Sequence, residues 1–391
     1  MNLAILHPEV QNFISANLKT EITKLILKGS PFKGITIQEL ANQIIAKQKS
    51  EKKLPTWYST ENIYYPEKIS IEQTSSEVAA VHKLALISGD SVIDITGGFG
   101  IDAHAFSKQF KKVVHCEINE QLSEIVAHNF KQLKIDNIEV FTGDGLKFLK
   151  ENSQNFDCIF IDPSRRHDAK GKVFLLKDCL PYVPPKIDFL FTKTTQILIK
   201  TSPILDITNT IKELKNVKKV QILAINNEVK ELLFLLEEKE VDHITIEALN
   251  YQKNTLQKIE FNYQSEAKSV YSPPLNYIYE PNAAILKSGG FHEVSEQLKI
   301  FKLHQHSHLY TSNELVDFPG RQFIITQSMP YDKKKIKKLI GNETANITIR
   351  NFPKSVAQIR KETKIKEGGN LFLFFTTNLD NKQIVLFCKK I

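Results

Sequence analysis

The stretch Val92-Ile93-Asp94-Ile95-Thr96-Gly97-Gly98-Phe99-Gly100-Ile101-Asp102 constrains the fold of this chain more than any other. A short apolar run breaks into three glycines within four residues, then resumes as a helix-like pattern from Ala103 to Lys108. Strand, glycine-rich turn and helix, in that order, open a parallel α/β unit. The turn lies outside the carboxyl end of its strand, where such sheets bind ligands. Glycines there let a ligand approach the backbone, because no Cβ stands in the way. The acid that opens the turn, Asp94, suits hydroxyl, amine or sulfonium groups better than a bare pyrophosphate. Taken alone, the pattern is equally that of a simple turn.

The alternation continues beyond this unit, as in a doubly wound sheet. Residues 112–116 read as a second strand ending at Glu117, and residues 138–141 as a third ending in Thr142-Gly143-Asp144-Gly145. Residues 156–161 read as a fourth, ending in Asp162-Pro163-Ser164-Arg165-Arg166. Helices are expected between them, at about 102–108, 120–133 and 146–150. One acid at a strand end is ordinarily a turn residue or a helix cap. Four in series (Asp94, Glu117, Asp144 and Asp162), on the edge where right-handed crossovers place the crevice, exceed what capping explains. Residues 197–201 read as a fifth strand followed by a helix at 203–214. Residues 217–224 read as a sixth strand, with a further helix starting at Asn227. Two alternating runs, 243–249 and 256–263, read as an edge hairpin around Gln252, Lys253 and Asn254.

Ahead of the sheet, residues 1 to about 70 carry apolar residues at helical spacing, which predicts about three helices. The third is followed by a basic stretch, Lys47 to Lys53. Trp57, Tyr58, Tyr64 and Tyr65 come next, in a looser segment. Such aromatics stack on bases or pack a small domain against a larger one, and packing is the favoured reading. Gln73-Thr74-Ser75-Ser76-Glu77 then has the form of a helix N-cap. It is also a polar corner that would face a ligand of the next strand.

After the linker Ser272-Pro273-Pro274-Leu275, a new segment begins at Tyr277. From about residue 321 the pattern is α+β, with strands at 323–327, 345–350, 371–376 and 383–388 and helices at 332–340 and 355–363. Here Lys333, Lys334, Lys335, Lys337 and Lys338 cluster, with Arg350, Lys354, Arg360, Lys361, Lys364 and Lys366 beyond them. The cluster reads either as a solvated helix face or as a nucleic-acid footprint on a small domain beside a catalytic-type one.

At 391 residues, 41% hydrophobic and 25% charged, the chain can bury a sizeable core and divide into two or three domains. No apolar run approaches the ~18–20 residues of a membrane span. Residues 1–19 lack the pattern of a secretory signal, so a cytoplasmic protein is expected. Cys116, Cys158, Cys179 and Cys388 are scattered without a CxxC pair, which offers no metal site. Cys116 and Cys158 fall on expected strands and Cys179 in an expected helix. The net charge of +8 permits a polyanionic partner.

From about Glu72 to about Leu236 the chain resembles a class I methyltransferase that uses S-adenosyl-L-methionine. Asp94-Ile95-Thr96-Gly97-Gly98-Phe99-Gly100 looks like that family's first motif. Glu117 stands where its ribose-binding acid stands, and Asp144 where an acid reads the adenine amino group. Asp162-Pro163-Ser164-Arg165 stands at the fourth motif, Asp/Asn-Pro-Pro-aromatic in amino-directed enzymes. The resemblance implies a cofactor site of Thr74, Ser75, Asp94, Thr96, Gly97, Gly98, Gly100, Asp102, Glu117, Asp144, Gly145 and Asp162. It implies a catalytic group of Asp162, Pro163, Ser164 and Arg165.

The whole chain further resembles a bacterial group of such methyltransferases that carry a ferredoxin-like piece and a THUMP-like domain. The matching stretches are Gln73-Thr74-Ser75-Ser76-Glu77, Asp162-Pro163-Ser164-Arg165-Arg166, Tyr279-Glu280-Pro281-Asn282 and Arg350-Asn351-Phe352-Pro353. The implied architecture is a Rossmann-like doubly wound sheet over 72–271, preceded by a helical region over 1–71. A ferredoxin-like segment over 272–320 and a THUMP-like basic domain over 321–391 follow it. THUMP domains belong to RNA-modifying enzymes, so the implied substrate is RNA, either transfer or ribosomal.

Ser164 and Arg165 replace the second proline and the aromatic of the fourth motif. Arg165 and Arg166 therefore read as a phosphate anchor in place of a stacking platform. Methylation at C5 of a pyrimidine needs an attacking thiolate. No cysteine stands in the fourth-motif loop, which disfavours a 5-methyl-pyrimidine product. The expected target is an amino group of a base, whose hydrogen bonds Asp162 and the adjacent backbone carbonyls could accept. The rival readings are a non-catalytic RNA-binding protein on a methyltransferase scaffold and a small-molecule or protein methyltransferase.

Overall fold

The structure, a computed structural model, describes residues 1–165, 175–239, 242–253 and 255–391. It divides into two compact units: Met1–Lys218 with Leu233–Asp242, and Lys219–Leu232 with His243–Ile391.

The first unit opens with five helices: α1 (Pro8–Ala16), α2 (Ile22–Lys28), α3 (Ile37–Lys53), α4 (Pro55–Ser59) and α5 (Lys68–Gln73). Thr36 and Glu39 form a reciprocal capping box that starts α3. The basic stretch from Lys47 does not follow that helix, as expected, but forms its last turns. Lys52 and Lys53 lie there beside the negative end of the helix dipole. Trp57 and Tyr58 are likewise helical, on α4. Trp57, Tyr64 and Tyr65 are buried in one core with Leu40, Ile44, Phe99 and Phe106. The Asn129 side chain holds both the N–H and the C=O of Tyr64, each at 2.9 Å. These aromatics therefore pack the helical region and are closed to bases.

Helix α6 (Glu77–Lys83) leads into the sheet. The alternation is β1 (Ser91–Asp94), α7 (Ile101–Ser107), β2 (Lys112–Glu117), α8 (Glu120–Gln132), β3 (Ile138–Thr142), α9 (Gly145–Glu151) and β4 (Cys158–Ile161). A two-strand ribbon of β5 (Ser164–Arg165) and β6 (Cys179–Leu180) interrupts it, before α10 (Ile187–Phe191), β7 (Gln196–Thr201) and α11 (Ile207–Glu213). The sheet order in this unit is β7-β4-β1-β2-β3, and every pairing is parallel. The order reverses at β1, which makes the gap between β1 and β4 the switch point where open α/β sheets bind ligands.

Two expectations are corrected here. Cys179 is not helical: it lies on β6, opposite Arg165. Its backbone is extended, with φ of −109° and ψ of 159°, as the pairing with Arg165 requires. The segment at Asn227 does not start a helix either. Asn226 and Asn227 both take left-handed backbone, with φ of 52° and 62°. That is a two-residue hairpin turn, and it passes β8 (Val217–Ile225) into β9 (Glu228–Glu237). The run of Leu232, Leu233, Phe234, Leu235 and Leu236 is buried along β9. Residues apolar on both faces fit a buried strand as well as a helix, and only the turn decides between them.

In the second unit, β10 (Thr245–Gln252) pairs parallel with β8 and antiparallel with β11 (Thr255–Asn262), the expected hairpin. Asn254, read as part of its turn, lies outside the described residues. The chain continues through β12 (Tyr277–Pro281), α12 (Ala283–Ser288), α13 (Phe291–Gln297), β13 (Phe301–Lys302) and β14 (Tyr310–Ser312). It closes with β15 (Gly320–Pro330), α14 (Lys333–Ile340), β16 (Thr344–Arg350), α15 (Val356–Thr363), β17 (Lys366–Thr377) and β18 (Gln383–Lys390). Seven of these strands form one sheet, ordered β13-β14-β12-β15-β18-β17-β16. Ile336 and Ile340 of α14 and Ile359 of α15 bury against Leu373, Phe375, Val385 and Phe387. The five lysines of α14 stay exposed on its other face. The fold is thus the expected α/β architecture with N-terminal helices and a C-terminal α+β region. Among the described residues no helix is long and apolar enough to cross a membrane.

Candidate active site

The four strand-end acids lie along one edge of the first unit's sheet, at the carboxyl ends of β1 to β4. Two of them flank the switch point and are joined through Thr96. The Thr96 N–H and hydroxyl donate to Asp94 Oδ1, at 2.9 and 3.2 Å. The same hydroxyl accepts from the Asp162 N–H at 2.7 Å. Asp94 is buried, and burial pushes its pKa up to about 8, against the hydrogen bond from the Thr96 N–H. The nearby charges of Asp102 and Asp162 add to the rise.

The glycine turn has a steric and a conformational reason. A Cβ on Gly97 would lie 2.2 Å from the imidazole of His115, so only glycine lets the turn close on β2. Gly98 has a φ of +58°, and a Cβ there would stand in ordinary contact with the Thr96 carbonyl oxygen, at 3.9 Å. Its N–H donates to Glu117 Oε2 at 2.8 Å, and the Asn119 N–H donates to Glu117 Oε1 at 2.7 Å. The turn and the end of β2 therefore share one carboxylate. Asp144 caps α9, with Oδ1 accepting from the N–H groups of Leu146 and Lys147. Gly145 packs directly on Ile95, within 2.7 Å of where its Cβ would stand.

The polar corner before α6 joins this region. Thr74 closes α5. The Ser75 hydroxyl donates to Asp102 Oδ2 at 2.8 Å, and Lys83 Nζ lies 2.9 Å from Asp102 Oδ1 and 3.1 Å from the Ser75 hydroxyl. Burial alone would raise the Asp102 pKa. The charges of Lys83 and Lys200, with hydrogen bonds from Lys83 and Ser75, outweigh it and hold the carboxylate ionised. Both Asp102 oxygens are thus engaged within the protein. Lys83 itself is fully buried, and sequence reading missed it. The signal was present: Lys83 lies four residues after Ala79 and three after Ala80, on the apolar face of its helix.

Pro163 is buried and Ser164 is exposed on β5, opposite Leu180. The Arg165 side chain and Arg166, read as a phosphate anchor, lie outside the described residues. Lys200, at the end of β7, places its ammonium on Asp162 Oδ2. The β4–β7 register, Ile161 beside Ile199, sets Asp162 beside Lys200. This lysine was also missed. Its signal was a lone cation closing an apolar strand at the height of the four acids. The thiols of Cys116 and Cys158 are buried, and burial pushes their pKa values up, away from thiolate formation.

Comparison with known proteins adds the relationship. Residues 43–222 match a family described as conserved hypothetical protein 95. Residues 277–319 match a ferredoxin-like domain and residues 320–390 a THUMP domain-like family. A solved structure named as a "putative methyltransferase" from Porphyromonas gingivalis W83 is 30% identical, aligns over 99% of this chain and 98% of its own, and has a TM-score of 0.89. This chain belongs to that methyltransferase family. Two curated relatives match over shorter lengths. Protein-L-isoaspartate O-methyltransferase 2 of Syntrophobacter fumaroxidans is 33% identical over 114 residues, which is 28% of this chain and 45% of that protein. An uncharacterized RNA methyltransferase of Mycoplasma mobile is 30% identical over 101 residues, which is 26% of this chain and 27% of that protein. The match spans less than half the length of either curated relative.

Proposed function

We propose that this family member transfers the methyl group of S-adenosyl-L-methionine to an amino nitrogen of a base in transfer or ribosomal RNA. The observation that carries the reading is the pairing of Asp94 and Asp162 through Thr96 at the switch point, with Lys200 on Asp162.

The site fits the cofactor. Asp94 is a buried carboxyl held largely protonated at neutral pH, and a cationic ligand favours its ionised form. Glu117, already ordered by the N–H groups of Gly98 and Asn119, would hold the ribose hydroxyls. Asp144 and Gly145 would border the adenine. Thr96, Gly97, Gly98 and Gly100 would form the floor, with Thr74, Ser75 and Asp102 behind it. When bound, the cofactor supplies an activated methyl group on a sulfonium.

What remains for the chain is alignment of the nucleophile. Lys200 occupies Asp162 Oδ2 and holds the carboxylate in one rotamer. Among the described residues no partner sits on Oδ1, which would accept a hydrogen bond from the target amine, with backbone around Pro163 and Ser164 beside it. A base inside a helix would have to be flipped out to reach that point. The THUMP-like match, the RNA methyltransferase relative and the exposed lysines of α14 support RNA as the substrate. The domain bounds that go with this reading are 1–71, 72–271, 272–320 and 321–391.

Mass spectrometry of nucleosides from cells with and without this protein tests the proposal. The expected result is loss of one amino-methylated nucleoside from the transfer or ribosomal RNA fraction. Identical nucleoside profiles in all RNA fractions would contradict it.

A further inference from the structure

Two stretches far apart in sequence meet in the second unit. Glu280, from Tyr279-Glu280-Pro281-Asn282, is 2.7 Å from Arg350, which opens Arg350-Asn351-Phe352-Pro353. Arg321 takes the other carboxylate oxygen through Nε, at 2.5 Å, and Nη2. Glu280 lies on β12 and Arg350 at the end of β16, four places away in the sheet order. A flat sheet would separate those strands by about 19 Å, at ~4.8 Å per step. The sheet is therefore curled. Glu280, Arg321, Arg350 and Asn282, with Asn227 and Gln252 from the neighbouring β8–β9 turn and β10, help to line a cavity of about 190 Å³.

A staple between two segments would be closed and satisfied, and this cluster is neither. The Glu280 side chain is 4% exposed, while those of Arg321 and Arg350 are 38% and 35% exposed. The carboxylate lies underneath and the guanidiniums border the opening. Each guanidinium has five donors. Among the described residues, Glu280 and the Thr348 hydroxyl take only part of them, and the Arg350 Nε is buried without a hydrogen-bond partner. Two guanidiniums against one carboxylate leave one net positive charge. Arginine forks of this kind match phosphate oxygens. The cavity is smaller than the ~300–1,000 Å³ of sites that take whole drug-sized ligands, so it has room for a single group.

We propose that this cavity is a phosphate site that holds one backbone phosphate of the RNA strand. The inference rests on the reading of RNA as substrate. Gly320 keeps the wall in place: a Cβ there would lie 2.1 Å from the Glu280 carbonyl oxygen, so β15 can approach β12 only with glycine.

The test uses the full chain, bulk transfer and ribosomal RNA, and a salt titration of affinity. Arg350→Gln is expected to weaken binding several-fold and to make the log–log salt slope shallower by about 0.7, the value for one phosphate contact on a single strand. Glu280→Gln, which removes the opposing charge, is expected to bind RNA more tightly than wild type. Thermal melting of each variant monitors folding. If both variants lose affinity in step with melting temperature, the cluster is a staple and the proposal is overturned. Wild-type RNA binding that neither variant alters overturns the cavity and leaves the RNA reading standing. Absence of wild-type RNA binding overturns the RNA reading itself, and the cavity's assignment with it. Calorimetry with inorganic phosphate separates the two sources of the group. Phosphate binding lost in Arg350→Gln, with RNA affinity unchanged, would assign the cavity to the free ion and overturn the strand assignment.

Discussion

The ammonium of Lys200 rests on the carboxylate of Asp162, across the ends of two neighbouring parallel strands. Lys200 is nearly buried and Asp162 is partly open, so the pair presents one carboxylate face outward and braces the other. In the proposed reaction Lys200 is a positioning residue, and Asp162 is the group that would meet the target amine.

The first prediction separates those roles from cofactor binding. Asp162→Ala should leave S-adenosylmethionine affinity nearly intact and lower methyl transfer strongly. Lys200→Met should also spare the cofactor while lowering kcat more than it raises KM. Calorimetry with the cofactor and steady-state transfer rates measure the two effects. Transfer at the wild-type rate in Asp162→Ala removes that residue from the mechanism.

Asp94 gives a pH dependence with a definite sign. Its pKa rises from an ordinary 3.8 to about 8 on folding. The folded chain therefore keeps a proton that the unfolded chain has released. The stability this contributes is full below about pH 4, falls as pH rises through 8 and is flat above it. A cationic ligand needs the ionised form, so cofactor affinity should rise over the same range, by up to about tenfold per pH unit below 8. Asp94→Asn should abolish both trends, melt higher than wild type at pH 8, and bind the cofactor about 1.5–3 kcal/mol more weakly. Parallel pH profiles of the two proteins would count against a raised pKa.

A third prediction concerns the buried pair beneath the site. Lys83→Met leaves the Asp102 carboxylate without its cation in a buried setting. Breaking one side of such a pair costs about 3–5 kcal/mol. Lys83→Met combined with Asp102→Leu should recover much of the loss, because no charge is stranded. Urea unfolding of the single and double variants reads this directly. A double variant as unstable as the single one would show that packing, and not the pair, sets the cost.

The fourth prediction addresses the basic helix. If the exposed lysines of α14 contact phosphates, changing Lys334, Lys335 and Lys338 to Ala should weaken RNA binding and flatten its salt dependence, by about 0.7 in log–log slope per lost contact. Cofactor affinity should be unchanged. Lysines that only keep the helix solvated predict the wild-type affinity and slope in the triple variant.

Much of this was legible in the sequence, because the features involved are local. The turn at Gly97, Gly98 and Gly100 and the four acids are set by strand ends, which short apolar runs reveal. The N-cap signature in residues 73–77 was equally readable, and the cap falls at Ser76. Lys83 and Lys200 were missed because their meaning lies in a partner on another element. Nothing near Lys200 in sequence points to Asp162. The run after Asn227 misled because leucines suit a helix as well as a buried strand, and the two left-handed asparagines that settle it carry no hydrophobic signal. Cys179 was placed in a helix because its extended form depends on pairing with Arg165, a partner on another segment. The meeting of Glu280 with Arg350 depends on sheet curvature, which no local pattern encodes.

The central claim is that Asp162 directs the methyl group of S-adenosylmethionine to an amino nitrogen of RNA. The most direct measurement supplies methyl-labelled S-adenosylmethionine and the purified chain to RNA from cells that lack this protein, then identifies the labelled nucleoside by mass spectrometry. The account predicts label in one nucleoside, on an exocyclic amino nitrogen, with incorporation lost in Asp162→Ala. Label on a pyrimidine C5 or a ribose oxygen, or none in RNA while the cofactor binds, would contradict it.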